Sequence, residues 1–495
     1  MAAPLAVAAA VAVTADYSAD DGGSRWWAPG EAREFPLSLS YANAAGTVTT
    51  LNQNAPANTR QQPFFQPLGS NGRACVTCHQ PADGMSLSLT TVQERWRVTG
   101  GRDPLFAMTD GANCPNLAPE LESSHSLLLK RGLIRVARPW PPRRDDDSII
   151  TPQFSIEVAR DPTGCNLDAR YGLKSTSPEI SVYRRVRPAT NIKYLTAVGF
   201  TFEPKNGLPL SRDAESGERT SGNLLADARA RTLKAQALDA LRSHLEMQGK
   251  PTAEQLRGII EFMSSLYTAQ SADRWGGSLR AGGALGGPEE LAAARAGELQ
   301  GTAAPIWREF LPWQKLPAAL AGDNPEQRAF RESVARGADL FTNRMFLVSD
   351  SAGISNMGFG NPVRNPCAFC HNMQRTGMDV APGQVDLGTT NMPHANSSPD
   401  LPLFKLTCDA RYTPHPHLGR VVYTQDPGYA LTTGKCIDIG KITMQSMRGL
   451  AARAPYFSNG SAQTLREIID FYDRRYQMNL AESEKQDLVN LMSVL

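Results

Sequence analysis

Cys75-Val76-Thr77-Cys78-His79 and Cys367-Ala368-Phe369-Cys370-His371 are the two stretches on which the fold of this chain turns. In C-x-x-C-H each thiol adds to a vinyl group of haem and the adjoining imidazole supplies an axial iron ligand, which makes the spacing chemically specific. With 8 Cys and 7 His in 495 residues, chance would supply on the order of 0.002 such motifs. A thiol redox pair or half of a zinc site is the lesser alternative. His79 and His371 are therefore the expected proximal ligands, and Cys75, Cys78, Cys367 and Cys370 the anchors, of two covalently bound haem c groups.

The remaining cysteines are Cys114, Cys165, Cys408 and Cys436. Haem attachment of this kind follows export in bacteria, and in an oxidising compartment four leftover thiols most simply form two disulfides. Proximity favours Cys114 with Cys165 and Cys408 with Cys436, although other connectivities remain open. The Ala/Val-rich run Met1 to Ala15 ends in Val13-Thr14-Ala15 and reads as a truncated export signal without a basic start, with a disordered Ala-rich tail as the alternative. A periplasmic location is expected.

Lys plus Arg 51 against Asp plus Glu 49 leaves a formal charge of +2, too little for a nucleic-acid or anionic-lipid surface. The hydrophobic share of 41% supports real cores, and no apolar run is long enough for a membrane span. Asn324-Pro-Glu-Gln327 opens an expected helix of about four turns with Phe330, Val334, Ala338 and Phe341 on one face. Between Leu224 and Met247, Leu225, Ala228, Leu233, Ala237, Leu238, Leu241 and Leu245 recur at helical spacing, with Gly249 and Pro251 as the stop. Thr252-Ala-Glu-Gln255 then caps a second helix whose apolar side carries Leu256, Ile259, Ile260, Met263 and Tyr267. Pro63 to Gly72 leaves room for one turn before the first motif.

Both C-x-x-C-H motifs, the segment Asp227 to Leu238 with His244-Leu-Glu-Met247, and nearly all of Gly440 to Leu495 resemble the bacterial dihaem cytochrome c peroxidases and the related MauG enzymes. The resemblance implies a mainly α chain: two cytochrome c-like haem domains with a long loop-rich insertion in the first. Residues 16–275 would be the peroxidatic unit, with an inserted lobe at about 115–220. Residues 276–323 would be a Gly/Ala-rich connection, and 324–495 the electron-transfer unit. In the family a tryptophan, a distal glutamine and a catalytic glutamate follow in ten-residue steps. Here they fall on Ala226, Gln236 and Glu246, so Gln236 would orient peroxide and Glu246 would move its proton. Read alone, Glu246 and Gln236 are ordinary polar residues of an amphipathic helix, and His244 is a surface or packing histidine.

The loop Pro455-Tyr-Phe-Ser458-Asn-Gly460 resembles the family's Pro-Tyr-Phe-His-x-Gly, with Ser461 able to cap the following helix. That helix places Tyr472 where MauG has a tyrosine and other members a methionine on the second iron. Tyr472 is thus the implied distal ligand, Met478 the reserve, and a core aromatic the plain alternative. An oxygen donor favours the higher oxidation states of iron. The implied activity is reduction of hydrogen peroxide to water through a high-valent iron state shared by two haems. Electrons would come from a small periplasmic donor, a cytochrome c or a cupredoxin, or from an oxidisable substrate. The alternatives are a MauG-like or oxygen-using oxidase of an organic or protein substrate, and a non-catalytic electron carrier.

Calcium is left open by the resemblance: Asn191 matches one family ligand, but Arg453 replaces a threonine, and its guanidinium can stand in for the ion's charge. Trp275, Trp307 and Trp313 are candidates for an electron relay, with packing the plainer role. His415 and His417 are weak metal candidates without further ligands.

Overall fold

The structure, a computed structural model, describes residues 25–144, 146–196, 220–294, 307–316, 324–371 and 383–495. The possible export signal, Asp145 and residues 197–219 of the expected insertion lie outside the described residues. Among the described residues helix accounts for 33% and strand for 18%, spread over many small sheets, so the fold is mixed α/β and the expected mainly α class is overturned. The miss has a physical cause in segments such as Gly46–Asn52, whose β-branched residues Thr47, Val48, Thr49 and Thr50 favour a pleated strand.

That strand is central in a four-stranded antiparallel sheet with Ser38–Asn43, Leu266–Asp273 and Gly277–Ser278. Its hairpin turn is held by Asn43, whose Oδ1 accepts from the backbone of Ala45 at 2.9 Å and Gly46 at 3.0 Å. Gly46 cannot be replaced cheaply, because a Cβ there would lie 2.2 Å from the Ala272 carbonyl oxygen. Tyr267, expected on a helix, is in this sheet instead: the helix capped by Thr252 runs Ala253–Ser265 and gives way to strand at Leu266.

A second sheet joins distant parts of the chain. Leu403–Cys408 pairs with Val421–Thr424 on one side and with Phe154–Arg160 on the other. Phe404 and Leu406 accordingly share a core with Ile134, Ile180 and Val182. A further core unites the Pro325–Asn343 helix with the two C-terminal helices, Leu465–Tyr476 and Glu482–Ser493. Gly337 allows the closest approach there, since a Cβ would fall 2.1 Å from the Asp487 carbonyl oxygen. The Asn324 cap is present, its Oδ1 accepting from the Gln327 backbone at 2.7 Å, and the helix is 19 residues long. The last-but-one helix is capped by Thr464 and not by Ser461, the Thr464 hydroxyl accepting from the Glu467 backbone at 3.2 Å.

Leu225 and Ala228 do not continue the helix that their spacing predicts; both take left-handed backbone angles, and the helix covers only Leu233–Ser243. Asp227 explains this. Its carboxylate is fully buried among Arg184 at 2.8 Å, Arg229 at 2.7 Å and Arg138 at 3.4 Å. That ion cluster fixes the loop in place of helical hydrogen bonds. Both disulfides favoured by proximity are formed, Cys114–Cys165 and Cys408–Cys436.

Candidate functional site: two clefts with a common wall

The four free cysteines belong to the two C-x-x-C-H motifs, and each motif lines its own large apolar cleft. The clefts hold about 1450 Å³ at the first motif and about 1530 Å³ at the second of space free of protein atoms, their openings included.

At the first, a single turn over Cys75–Thr77 brings both thiols and His79 to one side, and the His79 backbone donates to Cys75 O at 3.1 Å. His79 is backed by Phe64, with ring centroids 6.3 Å apart, and Phe64 belongs to an aromatic group with Phe65 and Phe262. Burying each such ring contributes about 1.5–3 kcal/mol. Met85, in a left-handed conformation, turns its carbonyl oxygen to within 3.1 Å of His79 Nδ1. With a carbonyl opposite Nδ1, that nitrogen carries the proton and Nε2 presents its lone pair. Burial lowers the His79 imidazole to about 4, so it is neutral, the form that binds a metal. Burial pushes both thiols up to about 12, opposite to the lowering that thiol redox pairs rely on.

The Leu233–Ser243 helix covers this cleft. Gln236 and Ala240 lie one turn apart on the stripe that faces the cleft, and His244 follows one turn later at the helix end. Gln236 therefore lines the cleft. Glu246 does not: the chain turns left-handed there, and its carboxylate accepts from the hydroxyls of Thr109 and, at 3.3 Å, of Ser70. It lines a neighbouring polar cleft with Asp110, Asp239 and Arg229. His244, read from sequence as a packing residue, lines both clefts. Its Nδ1 meets Asp110 Oδ2 at 2.5 Å, and the other Asp110 oxygen is bound by the Arg73 guanidinium. Burial favours a neutral Asp110, but Arg73 and His244 outweigh it and hold the carboxyl below its ordinary range. The signal for His244 was available in sequence: eight residues beyond Gln236, it falls on the same helical face.

At the second motif, the short helix Cys367–His371 presents His371 beside Phe341, with ring centroids 5.7 Å apart. Burial lowers this imidazole also to about 4, and its Nδ1 has no partner among the described residues. Tyr472 lines the same cleft edge-on to His371, with ring centroids 6.5 Å apart. Burial, reinforced by Tyr476, Cys367 and Cys370, raises its phenol well above the usual value. The Tyr476 hydroxyl is committed to Ser351 Oγ at 2.8 Å, and Met478 also lines the cleft.

Arg185, Val186, Arg187, Gln445 and Ser446 line both clefts and so form one partition. Arg187 donates to the carbonyl oxygens of Thr443 at 2.6 Å and Met444 at 3.3 Å, and its buried Nε has no partner among the described residues. Arg185 likewise meets carbonyl oxygens, those of Gly132, Leu87 and Arg453. Burial lowers these guanidinium groups to about 9 and about 10. Buried cations without paired carboxylates are costly, and a group bringing carboxylates into either cleft relieves them. Haem has an apolar macrocycle, two propionates, two thiol-reactive vinyls and an iron that takes imidazole, so the residues present fit it at both motifs.

Ala226 lines the first cleft, and its carbonyl accepts from the Thr443 backbone at 3.0 Å. None of Trp275, Trp307 and Trp313 lines either cleft; Trp307 and Trp313 are core, and Trp275 is 53% exposed. Trp307 packs on Phe341 at 5.0 Å between centroids. Asn191 spends its amide on the Thr268 backbone, at 2.8 Å and 3.1 Å. Arg453 donates to the carbonyls of Ser446 and Arg448, oxygens of the loop where the resemblance puts calcium. His415 faces Asp386 at 3.3 Å and His417 faces Asp350 at 3.5 Å, and no cluster of three or more metal-binding side chains is found among the described residues. No described helix is long and apolar enough to cross a membrane.

No protein-family model matches the chain. Over 81 residues it is 35% identical to the cytochrome-c peroxidase IdrP1 of Pseudomonas sp. (strain SCT), a match covering 14% of this chain and 21% of that protein. The chain thus matches about a fifth of that relative's length. Among solved structures, a Kuenenia stuttgartiensis hydrazine synthase aligns over 83% of this chain and 93% of its own, at 13% identity and a TM-score of 0.28, too low to show a shared fold. The local similarity to a cytochrome-c peroxidase, beside two clefts each lined by a C-x-x-C-H motif, fits a haem protein of redox function.

Proposed function

We propose that the chain is a dihaem c-type peroxidase that reduces hydrogen peroxide to water. The observation carrying this reading is the asymmetry of two clefts across one partition: Tyr472 stands beside His371 in one, whereas the other shows polar Gln236 and His244 on the helix that covers it. When bound, the haems supply iron that exchanges electrons and a position at which the peroxide O–O bond is split. Cys75 and Cys78, and Cys367 and Cys370, would hold the two macrocycles by thioether bonds. His79, with Nδ1 fixed by Met85, would hold the first group through Nε2, and peroxide would bind in the same cleft. Gln236 would orient the peroxide by donating and accepting hydrogen bonds. His371 and Tyr472 would hold the second group, and an oxygen donor there suits storage of an oxidising equivalent. Arg185 and Arg187 would neutralise propionates at the partition.

Electrons would return from a small redox protein, a cytochrome c or a cupredoxin, or from an oxidisable substrate. The two disulfides support a periplasmic location. The test is an optical and near-infrared spectrum of the diferric protein before and after one equivalent of hydrogen peroxide. The expected result is a rapid change involving both haems without added reductant. Absence of any reaction, before or after one-electron reduction, would leave an electron carrier instead.

A further inference from the structure

His244 is a buried-edge histidine set in a partition between unlike spaces. One side of the partition is the apolar cleft of the first C-x-x-C-H motif, and the other is the polar cleft with Asp110, Asp239, Arg229 and Glu246. Its side chain is 23% exposed, so it is neither sealed in the core nor loose on the surface. The ring is anchored through Nδ1 by Asp110 at 2.5 Å. Asp110 is fixed in turn by Arg73, which also donates to the carbonyls of Pro104 and Leu105 at 2.7 Å each. The Asn71 amide and the Arg73 guanidinium both donate to the His244 carbonyl, at 2.8 Å and 3.4 Å, and so hold the backbone as well. The ring is thus oriented through Nδ1 by a fixed carboxylate on a fixed backbone, and Nε2 is left to accept a proton. By contrast, both Glu246 oxygens are engaged by Thr109 and Ser70 outside the haem cleft.

Resting on the peroxidase reading, we propose that His244, positioned by Asp110 and Arg73, is the catalytic acid–base group of the first cleft, and that Glu246 serves it from the polar cleft behind. His244 Nε2 takes the proton from the near peroxide oxygen and returns it to the far one. The near O–H bond breaks, the far O–H bond forms, and the O–O bond cleaves with its electron pair leaving on the far oxygen as water. The overall balance is one peroxide, two protons and two electrons to two waters, the electrons coming from the small redox donor or the oxidisable substrate. Protons are replaced through the polar cleft, which His244 and Glu246 both line.

The experiment compares the haem-loaded wild type with His244→Gln and Glu246→Gln by three readouts: peroxide reaction rate, cyanide association rate with the ferric protein, and ferric absorption spectrum. Hydrogen cyanide must give up its proton to bind as the anion, so its association reports the base without turnover. The expected result is a loss of about 100-fold or more in both rates for His244→Gln, an unchanged ferric spectrum, and only a few-fold loss for Glu246→Gln. An unchanged spectrum also shows that the variant is folded and loaded. A His244→Gln variant that keeps its cyanide rate overturns the proposal, as does one in which the first haem loses an axial ligand and binds cyanide faster; the latter would make His244 an iron ligand. Wild type inert to peroxide, with cyanide binding still slowed by His244→Gln, would remove the peroxidase reading and leave His244 as the base of the cleft.

Discussion

Arg184 and Asp426 lie 242 residues apart in the chain and meet through two parallel bonds, Nε to Oδ2 at 2.7 Å and a terminal nitrogen to Oδ1 at 2.9 Å. The third arm of the same guanidinium reaches Asp227 at 2.8 Å. One side chain thus fastens the strand Glu179–Arg185, the loop leading into the Gln236 helix and the segment after Val421–Thr424. Burial works against the Arg184 charge, but the two carboxylates more than compensate and raise its pKa. Asp426→Asn leaves that guanidinium half-paired and is expected to cost about 3–5 kcal/mol, read as a lower denaturation midpoint with an unchanged slope.

Acid should attack the same cluster through Asp227. Burial pushes its carboxyl up, but Arg229, Arg184 and Arg138 prevail and hold it well below the ordinary value. A depressed folded value stabilises the protein above the unfolded pKa, and this contribution is lost as pH falls from about 4 toward the folded value. Unfolding free energy measured by denaturant at successively lower pH should decline in that window. In Asp227→Asn the decline should be shallower and the starting stability lower.

The disulfides close sequence separations of 51 and 28 residues. Chain entropy assigns such loops about 4 and about 3.6 kcal/mol. Cys165→Ser and Cys436→Ser should each lower stability by an amount of that order, whereas Cys114 and Cys408 should then react with a thiol reagent after unfolding. Peptide mapping without reductant should recover the two linked pairs.

Exchange of Tyr472 tests the second cleft. Under the dihaem reading proposed above, Tyr472→Met should raise the reduction potential of the haem at the second motif and leave that at the first nearly unchanged. Met478→Leu should alter neither. A reductive titration followed optically distinguishes the two variants.

Much of the site could be read before the fold was known. The proximity of Cys114 to Cys165 and of Cys408 to Cys436, and the caps at Thr252 and Asn324, are local signals that the structure realises, and each C-x-x-C-H motif lines a cleft. The architecture was less legible because strands such as Phe154–Arg160 find their partners hundreds of residues away, and a helix-centred reading overlooks pairing at that range. Leu225 and Ala228 follow helical spacing but serve the ion cluster around Asp227. That His244 and not Glu246 lines the first cleft follows from the helix, which presents a side chain to the cleft every four residues and ends before Glu246, whereas ten-residue steps follow position in the chain. Asp110 and Arg73, its supports, carry no sequence motif at all.

The partition formed by Arg185 to Arg187 with Gln445 and Ser446 makes the clefts inseparable neighbours. A substitution at position 187 is one change to the gene and two changes to the chemistry, since the same side chain faces both spaces. Variation along this segment should therefore change what both clefts bind together, and neither cleft can be retuned there without answering to the other.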